Sequence, residues 1–307
     1  MKKLTVLGSI NADHIISVPY FAKPGETLTG SHYTVVYGGK GANQAVAAAR
    51  AGGEVSFIGC IGADNIGQAM KQAFCQEGID TQAIEVIPEQ RTGVAMIQVN
   101  AQGENNIVIA SGANAALTAK AVSQYKSVIC QGDYLLMQLE TPIPAIIQAA
   151  SYAKAAQTKV VLNPAPATTL PLELLELVDI ITPNETETAL LTGITVKDQE
   201  SANQAAAVFH QWGIECVIIT LGAKGIYVSQ QGQGQFIAGF KVQAQDSTAA
   251  GDTFNGALMV ALCEQQPLLS ALRFAQAAAA ISVTRTGAQP SIPQRAEILA
   301  FLQQQTN

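Results

Sequence analysis

The stretch DSTAAGDTFNGALMVALCE, residues 246–264, sets small residues and a carboxylate directly before a long Ala/Leu-rich pattern. That order predicts a helix whose N-terminus falls at Ala249, Ala250 and Gly251. Backbone N–H groups there lack partners, and the helix dipole favours an anion. Read alone, Asp252 is a cap or first-turn acid. Read with those amides, it is a general base beside an anion hole. The N–H groups neutralise charge growing on a transferred phosphoryl group while the carboxylate takes a hydroxyl proton. Gly251 leaves room for close approach by the phosphate.

A second run, YGGKGANQAVAAAR at 37–50, is rich in glycine around one lysine. Gly38 and Gly39 allow tight backbone approach, Lys40 and Asn43 offer donors, and AVAAAR reads as the start of a helix. A small polar ligand suits this run; a purely structural tight turn explains the same glycines. GGKG carries no Ser or Thr after its lysine, and no GxxxxGK[ST] loop or HRD/DFG pair occurs anywhere in the chain. Other polar residues close apolar runs, where open α/β sheets collect ligands. They are Asp13 in GSINAD, Glu140 after QL, Asn184 and Glu187 in PNETE, and Thr220 and Gly222 in VIITLGAKG. Each alone reads more readily as a turn residue or cap, and it is their joint placement after separate strands that points to a site.

Holding such residues together requires a framework, and the apolar runs supply it. LTVLGS (4–9), VSFIG (55–59), YLLMQLE (134–140), KVVLN (159–163), DIITPN (179–184) and CVIITLG (216–222) are short and rich in branched residues. Segments long enough for helices separate them. This alternation predicts parallel strands buried on both faces, in a doubly wound, mostly parallel α/β sheet flanked by helices. Residues 14–37 and 92–110 break the rhythm by alternating apolar and polar residues around glycine-containing turns, with AQGEN at 101–105 as the clearest hairpin. They read as antiparallel strands forming a small β-sheet lid over a pocket, or as an extension of the main sheet's edge. The whole chain, 1–307, reads as one domain. QQGQGQ at 230–235 reads as a hairpin turn and QQQTN at 303–307 as a frayed tail.

Composition narrows the function classes. Seventeen basic residues against 23 acidic give a net charge of −6, with no basic stripe, which argues against nucleic acid. Five scattered cysteines without CxxC spacing read as reduced thiols. No apolar run is long enough for a membrane span, and the apolar stretch in MKKLTVLGSINAD is too short for a signal peptide, so the expectation is cytoplasmic. GSINAD is not the GxGxxG of a dinucleotide-dependent oxidoreductase.

VLGSINADHI, GGKGANQAVAAAR, MQLETP, LNPAPA, DIITPNETE, ITLGAKG, DSTAAGDTFNGAL and VTRTGAQPSIP together resemble the ribokinase-like family of carbohydrate kinases over nearly the whole chain. The N-terminal NAD narrows the resemblance to the ribose-directed members. The resemblance implies ATP-dependent phosphorylation of the 5-hydroxyl of D-ribose with ATP and Mg²⁺, K⁺ acting as a monovalent activator, and a homodimer joined through the lids. It implies that Asn11, Asp13, Gly39, Lys40, Gly41, Asn43 and Glu140 bind the sugar. Asp252 becomes the base, with Ala249, Ala250 and Gly251 as the anion hole. Asn184 and Glu187 organise Mg²⁺ and phosphate, while Thr220, Gly222, Gly225 and Gln276 line the nucleotide groove. Asp246 and Thr248 match one side of a K⁺ loop; Ser282, Arg285, Gly287 and Ser291 match the other, with backbone carbonyls supplying much of the site. Two rivals stand beside this reading. One is a related kinase acting on a nucleoside, fructose phosphate or deoxyribose, and the other is a non-catalytic sensing module on the same fold.

Overall fold

The computed structural model describes residues 2–306. Its strands are β1 (Lys3–Leu7), β2 (Asn11–Ser17), β3 (His32–Gly38), β4 (Glu54–Gly62), β5 (Ile84–Ile87), β6 (Gly93–Val99), β7 (Asn105–Ala110), β8 (Tyr134–Met137), β9 (Lys159–Leu162), β10 (Ile180–Ile181), β11 (Cys216–Thr220), β12 (Gly225–Gln230) and β13 (Gln233–Ala238). Its helices are α1 (Lys40–Arg50), α2 (Asn65–Gln76), α3 (Ala119–Gln124), α4 (Lys126–Gln131), α5 (Ile143–Ala155), α6 (Leu172–Leu175), α7 (Glu185–Thr192), α8 (Gln199–Gln211), α9 (Ala250–Cys263), α10 (Leu268–Ser282) and α11 (Arg295–Thr306).

Nine strands form the main sheet in the order β13-β12-β11-β10-β9-β8-β1-β4-β5. Pairing is parallel from β11 through to β5 and antiparallel only at β11–β12 and β12–β13. Successive side chains point to opposite faces, so the short apolar strands feed two cores at once. Leu4, Val6 and Leu136 join one core with Val46, Phe74, Leu258 and Leu272; Leu7, Leu135 and Met137 join the other with Ile129, Ile146 and Phe209. The chain runs from β1 outward to β4 on one side, and from β8 outward to β9 on the other. The carboxyl ends of β1 and β8 therefore flank a topological switch point, the place where such sheets leave a crevice.

The small sheet runs β3-β2-β6-β7. The expected strands are present, but β2 begins at Asn11, within the GSINAD segment, and β2 pairs with β6 in parallel. Each arm, β2–β3 and β6–β7, is an antiparallel hairpin. The two arms leave the main sheet in the same direction, at Asn11 and Gly93, so their first strands meet side by side. At the tip of the second arm the Asn100 carbonyl and side-chain oxygen accept from the N–H groups of Gly103, Gln102 and Glu104.

Three local expectations change. DIITPN contributes only two strand residues, because Asn184 turns the chain into α7 as its cap. QQQTN continues α11 as far as Thr306, with Asn307 outside the described residues. β5 was not among the anticipated runs; its four residues follow a turn in which the Ile84 N–H bonds the Thr81 carbonyl. The QQGQGQ turn is present between β12 and β13, all five cysteines are free, and among the described residues no helix is long and apolar enough to cross a membrane.

Candidate active site

The GGKGAN run forms the first turn of a helix: α1 starts at Lys40, five residues before the expected start at Ala45. Gly39 precedes it at φ 91°, a backbone region suited to glycine, and a Cβ there would lie 2.8 Å from the Asn11 nitrogen and 2.9 Å from the Ser9 carbonyl oxygen. The segment after β1 is thereby pressed against the helix N-terminus, and the four amides at that end are all used. The Lys40 N–H donates to Glu140 Oε2 at 3.0 Å, and Gly41 donates to Ser9 Oγ at 3.3 Å. Ala42 donates to the Ser9 carbonyl at 2.9 Å and Asn43 to the Gly39 carbonyl at 2.8 Å. Ser9 Oγ in turn donates to Glu140 Oε2 at 2.6 Å. Glu140 thus caps α1 from the end of β8.

The N-terminus of α9 is built the opposite way. Its cap residue is Ala249, at φ 59°, which has no side-chain oxygen to offer. The Ala250 and Thr253 N–H groups bond the Ser247 and Ala249 carbonyls, whereas those of Gly251 and Asp252 have no acceptor among the described residues. A Cβ built on Gly251 meets nothing within 4 Å, so this end of the helix opens onto free space. Two aligned N–H donors at a helix N-terminus favour an incoming anion.

Asp252 does not cap its helix. Its side chain is buried and turned toward α1, where Oδ2 accepts from Asn43 Nδ2 at 3.0 Å and Oδ1 from Gln44 Nε2 at 2.9 Å. Close packing of α9 on α1 makes this reach possible: a Cβ on Gly256 would sit 2.6 Å from both the Gln44 carbonyl oxygen and the Ala47 Cβ. GGKGAN and AAGD, 209 residues apart at Asn43 and Asp252, therefore form one site.

Asp13 lies on β2 with its carboxylate buried over Gly38. Burial first, then the Glu140 and Asp252 carboxylates, push it up to about 7, against the pull of the Lys40 ammonium. Burial alone would lower Lys40, but Asp252, Glu140, Glu187 and Asp13 outweigh it and hold the ammonium above its usual range. Four carboxyl groups thus share one cation. Asn11 is buried and accepts from Asn114 Nδ2 at 2.8 Å; Asn114 also bonds both backbone groups of Ile10. Asn114 was not anticipated, since nothing in its local sequence distinguishes it from an ordinary turn residue.

Asn184 and Glu187 form a reciprocal capping box on α7, each bonding the other's backbone N–H at 2.8 Å. Glu187 is buried, which raises it; the Asn184 N–H and Lys40 oppose that and Asp252 reinforces it. Thr220 pairs with Asn184 through a backbone bridge, while Gly222 and Gly225, both at positive φ, shape the turn into β12. Gln276 is buried on α10 and donates to the Ile237 and Ala238 carbonyls at 3.3 Å, tying that helix to the end of β13.

Asp246 clasps the loop before α9 to the loop after α10. Its Oδ1 accepts from the Thr248 N–H at 2.8 Å and Thr248 Oγ1 at 2.6 Å, and its Oδ2 accepts from the Gly287 N–H at 2.8 Å. Burial works against these bonds, which nevertheless hold the carboxyl below its usual range. Ser282 and Ser291 hydroxyls donate to the carbonyls of Ala279 and Ala288, and the Arg285 side chain bonds Glu297. Asp246 thus joins two segments that the sequence keeps 41 residues apart. Among the described residues no three His, Cys, Asp or Glu side chains gather closely enough to hold a metal by themselves.

Residues 1–295 match the family model described as pfkB family carbohydrate kinase. A ribokinase from Haemophilus influenzae is 62% identical over 98% of this chain and 99% of its own length. A ribokinase from Staphylococcus aureus is 45% identical over 96% of this chain and 98% of its own. Among solved structures, Arabidopsis thaliana ribokinase complexed with ribose and ATP superposes with a TM-score of 0.93 at 34% identity, covering 98% of each chain. An α/β core with a small second sheet, a helix N-terminus left open beside a buried carboxylate, and a family match along almost its entire length place this chain in the pfkB family of carbohydrate kinases.

Proposed function

We propose that the protein transfers the γ-phosphoryl group of ATP to the 5-hydroxyl of D-ribose, yielding D-ribose 5-phosphate and ADP. The observation that carries this reading is the contrast between two helix N-termini. At α1 all four amides are taken, whereas at α9 the N–H groups of Gly251 and Asp252 remain free next to a buried carboxylate. Asp252 takes the proton of the attacking hydroxyl, and the free amides, with Ala249 and Ala250 setting their direction, stabilise the transferring phosphoryl. The sugar sits beneath the small sheet against Asn11, Asp13, Gly39, Lys40, Gly41, Asn43 and Glu140.

Electrostatics favour a neutral polyhydroxylated acceptor. Four carboxyl groups around a single lysine accept hydrogen bonds from hydroxyls and repel a second phosphate, which disfavours a sugar phosphate. The names of the relatives and the ribose and ATP in the Arabidopsis complex support ribose and ATP. Asn184, Glu187, Thr220, Gly222, Gly225 and Gln276 border the nucleotide. The buried Glu187 carboxylate beside the open end of α9 suits Mg²⁺ held through water, which would offset phosphate charge. Residues 246–248 and 282–291, which Asp246 joins, form the loop pair assigned to K⁺, a cation that carbonyl oxygens of such loops would hold. Thr248, Ser282, Gly287 and Ser291 belong to that loop pair, and Arg285 braces it from outside through Glu297.

The test is ATP-dependent phosphorylation of D-ribose with Mg²⁺, in competition with 2-deoxyribose, fructose and adenosine, with and without K⁺. Preferred ribose turnover that rises with K⁺ is expected. Preference for another acceptor reassigns the pocket around Asp13 and Lys40, and absence of turnover with every acceptor points to a sensing module.

A further inference from the structure

Below Asp252 lies a buried set of side-chain amides and hydroxyls, in which Asn163 alone is as much as 7% exposed. Gln44 is 0% exposed, and Gln138, Thr182 and Asn255 are 1% exposed. Gln44 Nε2 donates to Asp252 Oδ1 at 2.9 Å and to Asn163 Oδ1 at 3.0 Å. Gln44 Oε1 accepts from Gln138 Nε2 at 2.6 Å. Asn163 Nδ2 donates to the Thr182 carbonyl at 3.0 Å, Thr182 Oγ1 to Asn255 Oδ1 at 2.7 Å, and Asn255 Nδ2 to the Gly251 carbonyl at 2.8 Å.

The arrangement fixes the Gln44 amide in one sense. A flipped amide would set its oxygen against two acceptors, Asp252 Oδ1 and Asn163 Oδ1, and its NH₂ against the Gln138 donor, losing all three bonds. Both neighbours are anchored to the sheet: Gln138 follows β8, and Asn163 follows β9 and is tied to the backbone after β10. The orientation of the sheet is thus passed through one buried carboxamide to the carboxylate, while Asn255 holds the carbonyl of the preceding residue.

We propose that Gln44 is a positioning residue for phosphoryl transfer. Its N–H, oriented by Gln138 and Asn163, locks the plane of the Asp252 carboxylate. The assignment rests on Asp252 being the general base. Gln44 has no contact with solvent through which to meet either substrate, so its effect is on turnover, with little on sugar binding.

Gln44→Met keeps the length and apolar volume of the side chain and removes the donor. Expected are a fall in kcat of about 10- to 100-fold, the cost of a slightly misplaced reacting group, and a sugar KM within about twofold of the parent, as no substrate contact is lost. Gln138→Leu, which leaves Gln44 Oε1 without its donor and so loosens the amide, should show the same split in weaker form and serves if Gln44→Met fails to fold. Asp252→Asn is measured alongside. Loss of turnover in Asp252→Asn together with unchanged kcat in Gln44→Met, or in Gln138→Leu where that variant stands in, overturns the role of Gln44 alone. Retention of half the parent rate by Asp252→Asn overturns the base assignment and this proposal with it.

Discussion

Asp13 ionises against the resistance of burial and of the Glu140 and Asp252 carboxylates, which push its carboxyl up to about 7. In the proposed complex it must be a carboxylate to accept from sugar hydroxyls, so acidification should weaken sugar binding. With half-titration near neutrality, affinity measured calorimetrically without nucleotide is expected to fall about tenfold between pH 8 and pH 6. A flat profile would detach Asp13 from the sugar. The same shift has a consequence for stability. The folded carboxyl titrates above its unfolded value of 3.8, so its contribution is fully present below 3.8 and is lost as pH rises through about 7. Asp13→Asn should therefore raise the melting temperature at pH 8 and leave it nearly unchanged at pH 4. Gln44 and Asn163 stood inside recognisable motifs, GGKGAN followed by Q and LNPAPA. Their task was still not legible, because a buried amide takes its meaning from the partners it meets in space.

The two helix N-termini differ in how far their local sequence announces them. The order of small residues and acid placed the start of α9 correctly, and the free amides follow from the lack of a capping side chain at Ala249. For α1, the glycines drew attention away from the helix that starts within them. Its cap comes from Glu140, 100 residues distant from Lys40, which no local pattern announces. Gly39 carries that junction, so Gly39→Ala should cost about 1–3 kcal/mol from backbone strain alone, with contact against Ser9 and Asn11 adding to it. Urea denaturation measures the loss, and a midpoint unchanged from the parent would show that the segment after β1 relaxes without cost. The α7 capping box, by contrast, is written openly as N-E-T-E, and a cap was one of the two roles its residues offered in the sequence.

The small sheet bears on the whole molecule. Across its face opposite Asp13 runs a row of Val35, His14, Met96 and Val108, set by strand register. Met96 is 55% and Val108 66% exposed, and both edge strands leave backbone groups unpaired. A second copy meeting the sheet would cover this surface and pair its edges. Sedimentation is expected to give twice the chain mass for the parent and the single-chain mass for the Met96→Glu, Val108→Glu double variant. A parent that sediments as a single chain would remove the proposed dimer.

The amino-acid sequence by itself determined the layered α/β architecture, the existence of the two hairpins and the start of α9. Each of these is written in local periodicity and in residues whose conformational limits act over one or two turns. The parallel meeting of β2 with β6, the capping of α1 by Glu140, the burial that raises Asp13 and the amide set beneath Asp252 were decided only in three dimensions. They depend on which segments pack together after the chain has travelled tens to hundreds of residues, and desolvation and hydrogen-bond partnership are properties of that packing.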